Sequence, residues 1–285
     1  MPLSELELQE IKNFARDIRI NTLETLNQLG FGHYGGSLSI VETLAVLYGK
    51  LMPMTPEIFA QKERDYFVLS KGHAGPALYS TLHLQGFFDK DFLHSLNKNG
   101  TRLPSHPDRN LTPGVDMTTG SLGQGISVAT GIAYGQSIDN SPYYTYAIVG
   151  DGELNEGQCW EAFQFAAHQK LSNLIVFIDD NKKQLDGTTA QICQTQDFLE
   201  KMQAFGFDGL RVKGDDIEAI YDAVLSLQNA GSDKPKVIVL DTIKGQGVPF
   251  LETMEANHHL RLDAEMRQKL EEAVELLKAE KEELL

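Results

Sequence analysis

Residues 174–180 read LIVFIDD, five apolar residues followed by two acids, with no alternation of apolar and polar positions. A strand apolar at every position belongs to a sheet covered on both faces, where helices cross over between parallel strands. Four more stretches have strand composition: 65–70 (DYFVLS), 143–150 (YYTYAIVG), 208–212 (DGLRV) and 236–242 (KVIVLDT). Between them, apolar residues spaced by three or four predict helices over 40–51, 75–85, 123–137, 156–170, 198–205 and 216–227. This alternation predicts an α/β fold, a doubly wound, mainly parallel sheet with helices on both faces, as a single domain over residues 1–285. It closes with an amphipathic helix over about 262–283, where Leu270, Ala273, Leu276, Leu277 and Leu284 form a stripe among Glu and Lys.

The chain has 40 acidic and 25 basic residues, a net charge of −15, which argues against a nucleic-acid or anionic membrane surface. Cys159 and Cys193 lie far apart and in no metal-ligand pattern, which suits a reducing compartment. No secretory signal and no apolar run of membrane-spanning length is present, so the expected location is the cytoplasm.

Residues 30–37, GFGHYGGS, match the G-x-G-x-x-G dinucleotide fingerprint letter for letter. That motif works only between a strand and a helix, with an acidic residue about twenty positions on. Here Leu8, Ile11, Ala15, Ile18, Leu26 and Leu29 mark a helix running into Gly30, which reads as its stop signal, and Leu51–Met54 offers no acid. Gly30 and Gly32 are expected to end a helix and turn the chain, and Gly35 and Gly36 to give close backbone passage before a helix beginning near Leu38.

In doubly wound sheets ligands sit beyond the carboxyl ends of the strands. After residues 143–150 comes Asp151-Gly152-Glu153, and after 174–180 comes Asn181-Lys182-Lys183. If the two strands are neighbours, Asp151 and Asn181 emerge side by side, and a carboxylate with an amide oxygen suits Mg²⁺ or Ca²⁺. Glycines and a helix N-terminus suit phosphate oxygens. A turn followed by an N-capped helix would leave the same letters.

GDG followed at this distance by Asn is similar to the thiamine diphosphate motif. Together with 67–79 (FVLSKGHAGPALY), 105–108 (SHPD), 113–127 (PGVDMTTGSLGQGIS), 150–162 (GDGELNEGQCWEA) and 179–187 (DDNKKQLDG), it closely resembles the diphosphate-binding domain of transketolase over almost the whole chain. The resemblance implies an N-terminal subunit of a split transketolase, an enzyme transferring a two-carbon ketol unit from a ketose to an aldose. It further implies thiamine diphosphate and Mg²⁺, with Ca²⁺ or Mn²⁺ as substitutes, sugar phosphate substrates, and a C-terminal partner subunit carrying the aminopyrimidine-binding domain, in an α2β2 assembly.

By the same resemblance, Asp151, the Asn181 side chain and the Lys183 carbonyl bind the metal. Gly152, His73 and Lys244 hold the diphosphate, Gly120 and Leu122 the aminopyrimidine, and Leu185 packs on the rings. His33 and His258 face the substrate carbonyl and His106 holds the hydroxyls of the two-carbon unit. His259 stands beside His258 and could exchange roles with it, since the family often has Trp where this chain has Asn257. Tyr34 stands in place of the Pro or small residue usual there and is expected to change the width of the substrate channel. His83, His94 and His168 are expected to be structural. The alternatives are a subunit of a thiamine diphosphate-dependent 2-oxo-acid dehydrogenase, or a non-catalytic scaffold.

Overall fold

Every residue of LIVFIDD is buried, as its composition requires of a central strand. The computed structural model describes residues 2–282. Its strands are β1 (Phe31–Gly32), β2 (Tyr66–Leu69), β3 (Thr145–Gly150), β4 (Leu174–Asp180), β5 (Asp208–Lys213), β6 (Lys236–Asp241) and β7 (Leu260–Arg261). Five of them form an all-parallel sheet in the order β2-β3-β4-β6-β5, so the expected sheet and its five strands are present.

Side chains on a strand alternate between faces, and here each face has its own core. Leu69, Tyr146, Ile148, Phe177, Ile238 and Leu240 pack on one side with helices Glu5–Leu29, Val41–Val46, Gly75–Leu84, Ile217–Gln228 and Ala264–Glu282. Val68, Val149, Val176, Ile178 and Val239 pack on the other with Gln124–Ile138, Gly157–His168 and Phe198–Ala204. Continuous apolar strands are thus the consequence of two covered faces.

The first helix has a capping box, in which the Ser4 hydroxyl accepts from Glu7 N–H and the Glu7 carboxylate reaches back to the Ser4 N–H. It ends where predicted, at Gly30, whose φ of 84° is left-handed. Two local expectations are corrected. The helix expected near Leu38 begins at Gly35, in a single turn Gly35–Leu38. The span 40–51 is α-helical only over Val41–Val46 and continues as a π-helical turn, Leu47–Leu51.

The C-terminal helix buries Leu270 but leaves Leu276 66% exposed, and Leu284 of the expected stripe lies outside the described residues. No helix among the described residues is long and apolar enough to cross a membrane. A two-residue antiparallel ladder, Phe31 with Arg261 and Gly32 with Leu260, clips the segment after the first helix to the one before the last. Both segments thereby reach the carboxyl edge of the main sheet.

Candidate active site

The carboxyl ends of β2, β3, β4 and β6 enclose a cavity of about 170 Å³, lined by Lys71, His73, Leu122, Asp151, Gly152, Asn181, Lys183, Gln184, Leu185, Lys244 and His258. The pairing of Gly150 with Asp179 brings Asp151 and Asn181 out together, as expected of neighbouring strands.

Asp151 is 2% exposed, and while its Oδ1 accepts the Gly152 N–H at 2.7 Å, its Oδ2 has no partner. Burial, reinforced by the nearby Asp179 charge, pushes its carboxyl up to about 7. A buried carboxylate with a free oxygen is costly alone and is satisfied by a cation. Asn181 Oδ1 accepts from Lys183 N–H at 3.2 Å while its amide donates to Asp179 at 2.7 Å. An oxygen-only donor set of this kind fits a hard divalent ion. No cluster of three His, Cys, Asp or Glu side chains that could hold a metal occurs among the described residues.

Asp179 orients that amide from a fully buried position. Burial disfavours its charge, but the Lys71 ammonium and the hydroxyls of Thr242 and Ser39 outweigh this and hold its carboxyl below the ordinary range. Glu153 is a further buried acid, accepting from the Ser70 hydroxyl and the Gly123 and Gly150 N–H groups, and so fastens three loops at the cavity rim. Sequence reasoning alone does not single out Lys71, Asp179 or Glu153. The available signal is Asp179 closing an otherwise apolar strand, because a buried charge demands a partner.

Lys244 uses all three ammonium protons on the Lys183 carbonyl (3.1 Å), the Gln184 carbonyl (3.0 Å) and His258 Nδ1 (2.9 Å). Burial, then the charge of Lys71, lowers its pKa to about 8. Since His258 Nδ1 accepts, its proton is assigned to Nε2. Asn257, which is buried, donates to the Lys244 and Leu251 carbonyls at 2.7 Å and so anchors the chain beside His258.

Five imidazoles meet at this end. His33 lies 5.6 Å from His73, 5.6 Å from His106, 5.2 Å from His258 and 4.7 Å from His259, ring centre to ring centre, and His73 lies 4.8 Å from His258. Burial, then the charges of His259, His106 and Lys244, lowers His33 to about 4. Burial and Lys244 lower His258 to about 3. His73 is also shifted well down by burial, and His106 down by burial. All four rings are therefore neutral near pH 7, each with one N–H donor and one acceptor.

Gly35 and Gly36 make this assembly possible. A Cβ on Gly35 would lie 2.6 Å from the Asn257 carbonyl oxygen and 2.7 Å from Lys244 Cγ, and one on Gly36 2.9 Å from His73 Nε2. The close passage expected of these glycines is present, although inside a helical turn.

Of the other expected residues, Gly120 approaches His106, Leu122 gives its carbonyl to Gln158, and Leu185 is 63% exposed at the cavity. Tyr34 departs from expectation: its ring is fully buried in the core, so it lines no channel. His83 Nδ1 donates to the Phe88 carbonyl, and His94 and His168 lie outside the cluster.

Residues 11–280 match the family described as "Transketolase, thiamine diphosphate binding domain". A 6-deoxy-6-sulfo-D-fructose transketolase subunit from a Clostridium species is 46% identical over 93% of this chain and 95% of its own length. One of the subunits of an apulose-4-phosphate transketolase from Phocaeicola vulgatus is 36% identical, over 91% and 90%. Solved transketolases from Pichia stipitis and Leishmania mexicana superpose with TM-scores of 0.84 and 0.81, each at 30% identity, over 94% and 95% of this chain. The chain spans 41% and 45% of those two. The fold is the α/β fold of thiamine diphosphate-binding domains. The chain belongs to the transketolase family, as an N-terminal subunit.

Proposed function

We propose that residues 1–285 act as the diphosphate-binding domain of a two-subunit transketolase, reversibly transferring a two-carbon ketol unit from a ketose to an aldose. A second chain would bring the aminopyrimidine-binding domain, with two copies of each in the assembly. The observation carrying this reading is the unpartnered Oδ2 of buried Asp151, a residue that lines the same cavity as His73, Lys244 and His258. The names of the relatives as subunits, and the greater length of the solved transketolases, support the partner.

In this reading Asp151, Asn181 Oδ1 and the Lys183 carbonyl hold Mg²⁺, and the Gly152 N–H and His73 hold the diphosphate. Lys244 spends its three protons on the Lys183 and Gln184 carbonyls and His258 Nδ1, so it would hold a phosphate oxygen only in exchange for one of these partners. Gly120 and Leu122 present main chain to the aminopyrimidine, and Leu185 covers the rings. Thiamine diphosphate, when bound, supplies the carbanion chemistry that breaks and makes the carbon–carbon bond. His258, held by Lys244 with its proton on Nε2, donates to the substrate carbonyl oxygen. His33 takes and returns protons beside it, and His106 holds the hydroxyls of the two-carbon unit. Neutral imidazoles suit both directions of such transfer.

The named substrates of the two relatives, a sulfo-fructose and a phosphorylated apulose, both carry an anionic group. We extend the expected sugar phosphates to ketoses ending in phosphate or sulfonate. The test mixes the chain with its candidate partner, thiamine diphosphate and Mg²⁺, and follows two-carbon transfer by mass spectrometry. Transfer is expected from the pair and not from this chain alone. Turnover of a 2-oxo acid with an electron acceptor, in place of ketol transfer, would overturn the reading.

A further inference from the structure

Gln184 has no part in the mechanism above, yet its side chain lines the cavity together with Asp151, Gly152 and Asn181. Its backbone is fixed from both sides, since the N–H donates to the Gly187 carbonyl at 2.8 Å and the carbonyl accepts from Lys244 at 3.0 Å. The side chain lies across Gly152, where a Cβ would stand 3.2 Å from Gln184 Cγ and 3.4 Å from its amide carbon. Gln184 therefore packs on the turn that carries Asp151.

The neighbouring N–H donors of the cavity wall are turned to protein acceptors. Lys71 and Asn181 donate to Asp179, Lys183 to the Met254 carbonyl, and Lys244 to the Lys183 and Gln184 carbonyls. Even the Gly152 N–H is turned to Asp151 Oδ1. Gln184 Nε2, by contrast, is buried and donates to no partner among the described residues. A buried amide N–H without an acceptor is unfavourable, as is a buried carboxylate oxygen without a cation. Asp151 Oδ2 and Gln184 Nε2 thus leave residues of one cavity short of both a positive and a negative ligand atom. A divalent ion carrying a diphosphate supplies both. The metal satisfies the carboxylate, and the amide nitrogen, a donor only, suits an anionic oxygen.

We infer that Gln184 is a further cofactor-binding residue, whose side-chain N–H donates to an oxygen of the diphosphate while Asp151 holds the metal. This deepens the reading above and rests on its cofactor.

The test titrates the two-subunit assembly, freed of cofactor, by calorimetry with thiamine diphosphate and Mg²⁺, and separately with inorganic diphosphate and Mg²⁺. Gln184→Met keeps the length of the side chain without the donor, and Gln184→Glu puts a carboxylate in its place. Losing a hydrogen bond to a charged group should raise Kd for both ligands roughly 10- to 100-fold in Gln184→Met, and further in Gln184→Glu. The loss should appear in KM for thiamine diphosphate, with kcat at saturating cofactor within about twofold of the wild type. Mn²⁺ affinity measured alone, by electron paramagnetic resonance, should be unchanged in Gln184→Met, because an N–H does not ligate a cation. Thermal unfolding of ligand-free Gln184→Met should match or exceed that of the wild type, since an unpartnered buried donor is removed. Unchanged or tighter binding of both ligands, as expected of a side chain that merely covers Gly152, would overturn the inference. So would a loss of Mn²⁺ affinity as large as that for diphosphate, or a loss confined to kcat or to ligand-free stability. Absence of binding of either ligand to the wild-type assembly would instead overturn the cofactor reading.

Discussion

The Lys71 ammonium lies 2.5 Å from Asp179 Oδ2, with both side chains 1% exposed or less. The pair joins the loop after β2 to the end of β4, and Asp179 in turn orients Asn181. Desolvation makes such a pair a weak net stabiliser, but removing one partner strands a charge. Lys71→Met is expected to destabilise the chain by about 3–5 kcal/mol. Asp179→Asn added to it keeps an acceptor for Ser39 and Thr242 without the charge, and should restore part of that loss. Urea unfolding of both variants measures this; a loss under about 1 kcal/mol for Lys71→Met would contradict a charged buried pair.

Gly35→Ala tests the packing beneath the imidazoles. The new methyl meets the Asn257 backbone oxygen and Lys244 Cγ at under 3 Å, and backbone cannot swing aside as a side-chain tip can. Overpacking of this kind costs about 1–3 kcal/mol, and here it also lifts the segment carrying His258. Gly36→Ala meets the ring of His73 instead. It should therefore cost less stability and act chiefly on cofactor affinity. Thermal unfolding with cofactor titration separates them, and equal behaviour of the two would argue against this account.

The main sheet is legible in the sequence because both its faces are covered, which leaves a long apolar signal in each central strand. The short ladder is not, since two residues such as Phe31 and Gly32 carry no period. Asp151 and Asn181 can be read from their place after neighbouring strands. Lys71 and Asp179 are 108 positions apart and pair only in the fold, so neither has a local signature beyond an acid in an apolar strand. Tyr34 defeats the sequence reading because neighbours of a site residue need not share its direction: His33 faces the cluster and Tyr34 the core. The order of His258 and His259 likewise depends on Asn257, whose two hydrogen bonds set the chain's rotation there.

Asp151→Asn separates binding from folding. The amide keeps an oxygen for the Gly152 N–H and removes a buried charge whose second oxygen is unpartnered. The ligand-free chain should be as stable as the wild type or more so, unlike Lys71→Met. A ligand at 100 times its Kd stabilises a protein by about 2.7 kcal/mol, and this gain on adding thiamine diphosphate and Mg²⁺ should largely vanish. Calorimetry with and without the ligands reads both effects. An undiminished gain would remove Asp151 from the metal site.

Acidification should weaken the fold through His33. Its folded pKa, about 4, lies below the 6.5 of an unfolded imidazole, so between these values the unfolded chain binds more protons. The contribution is fully present above pH 6.5 and is lost as pH falls towards 4. Asp151 runs the opposite way, because its raised carboxyl stabilises the folded state at low pH and this is lost as pH rises through about 7. The total curve therefore mixes the two, and the comparison must be made between wild type and His33→Asn at each pH. Lacking the imidazole, the variant should gain on the wild type steadily from pH 6.5 to 4.5. Ring NMR should find His33 uncharged at pH 5.5 in the folded chain, with His73, His106 and His259 followed in the same spectra as its neighbours. A His33 titrating near 6.5, or a stability difference flat across this range, would show that burial and the surrounding basic groups do not hold it neutral.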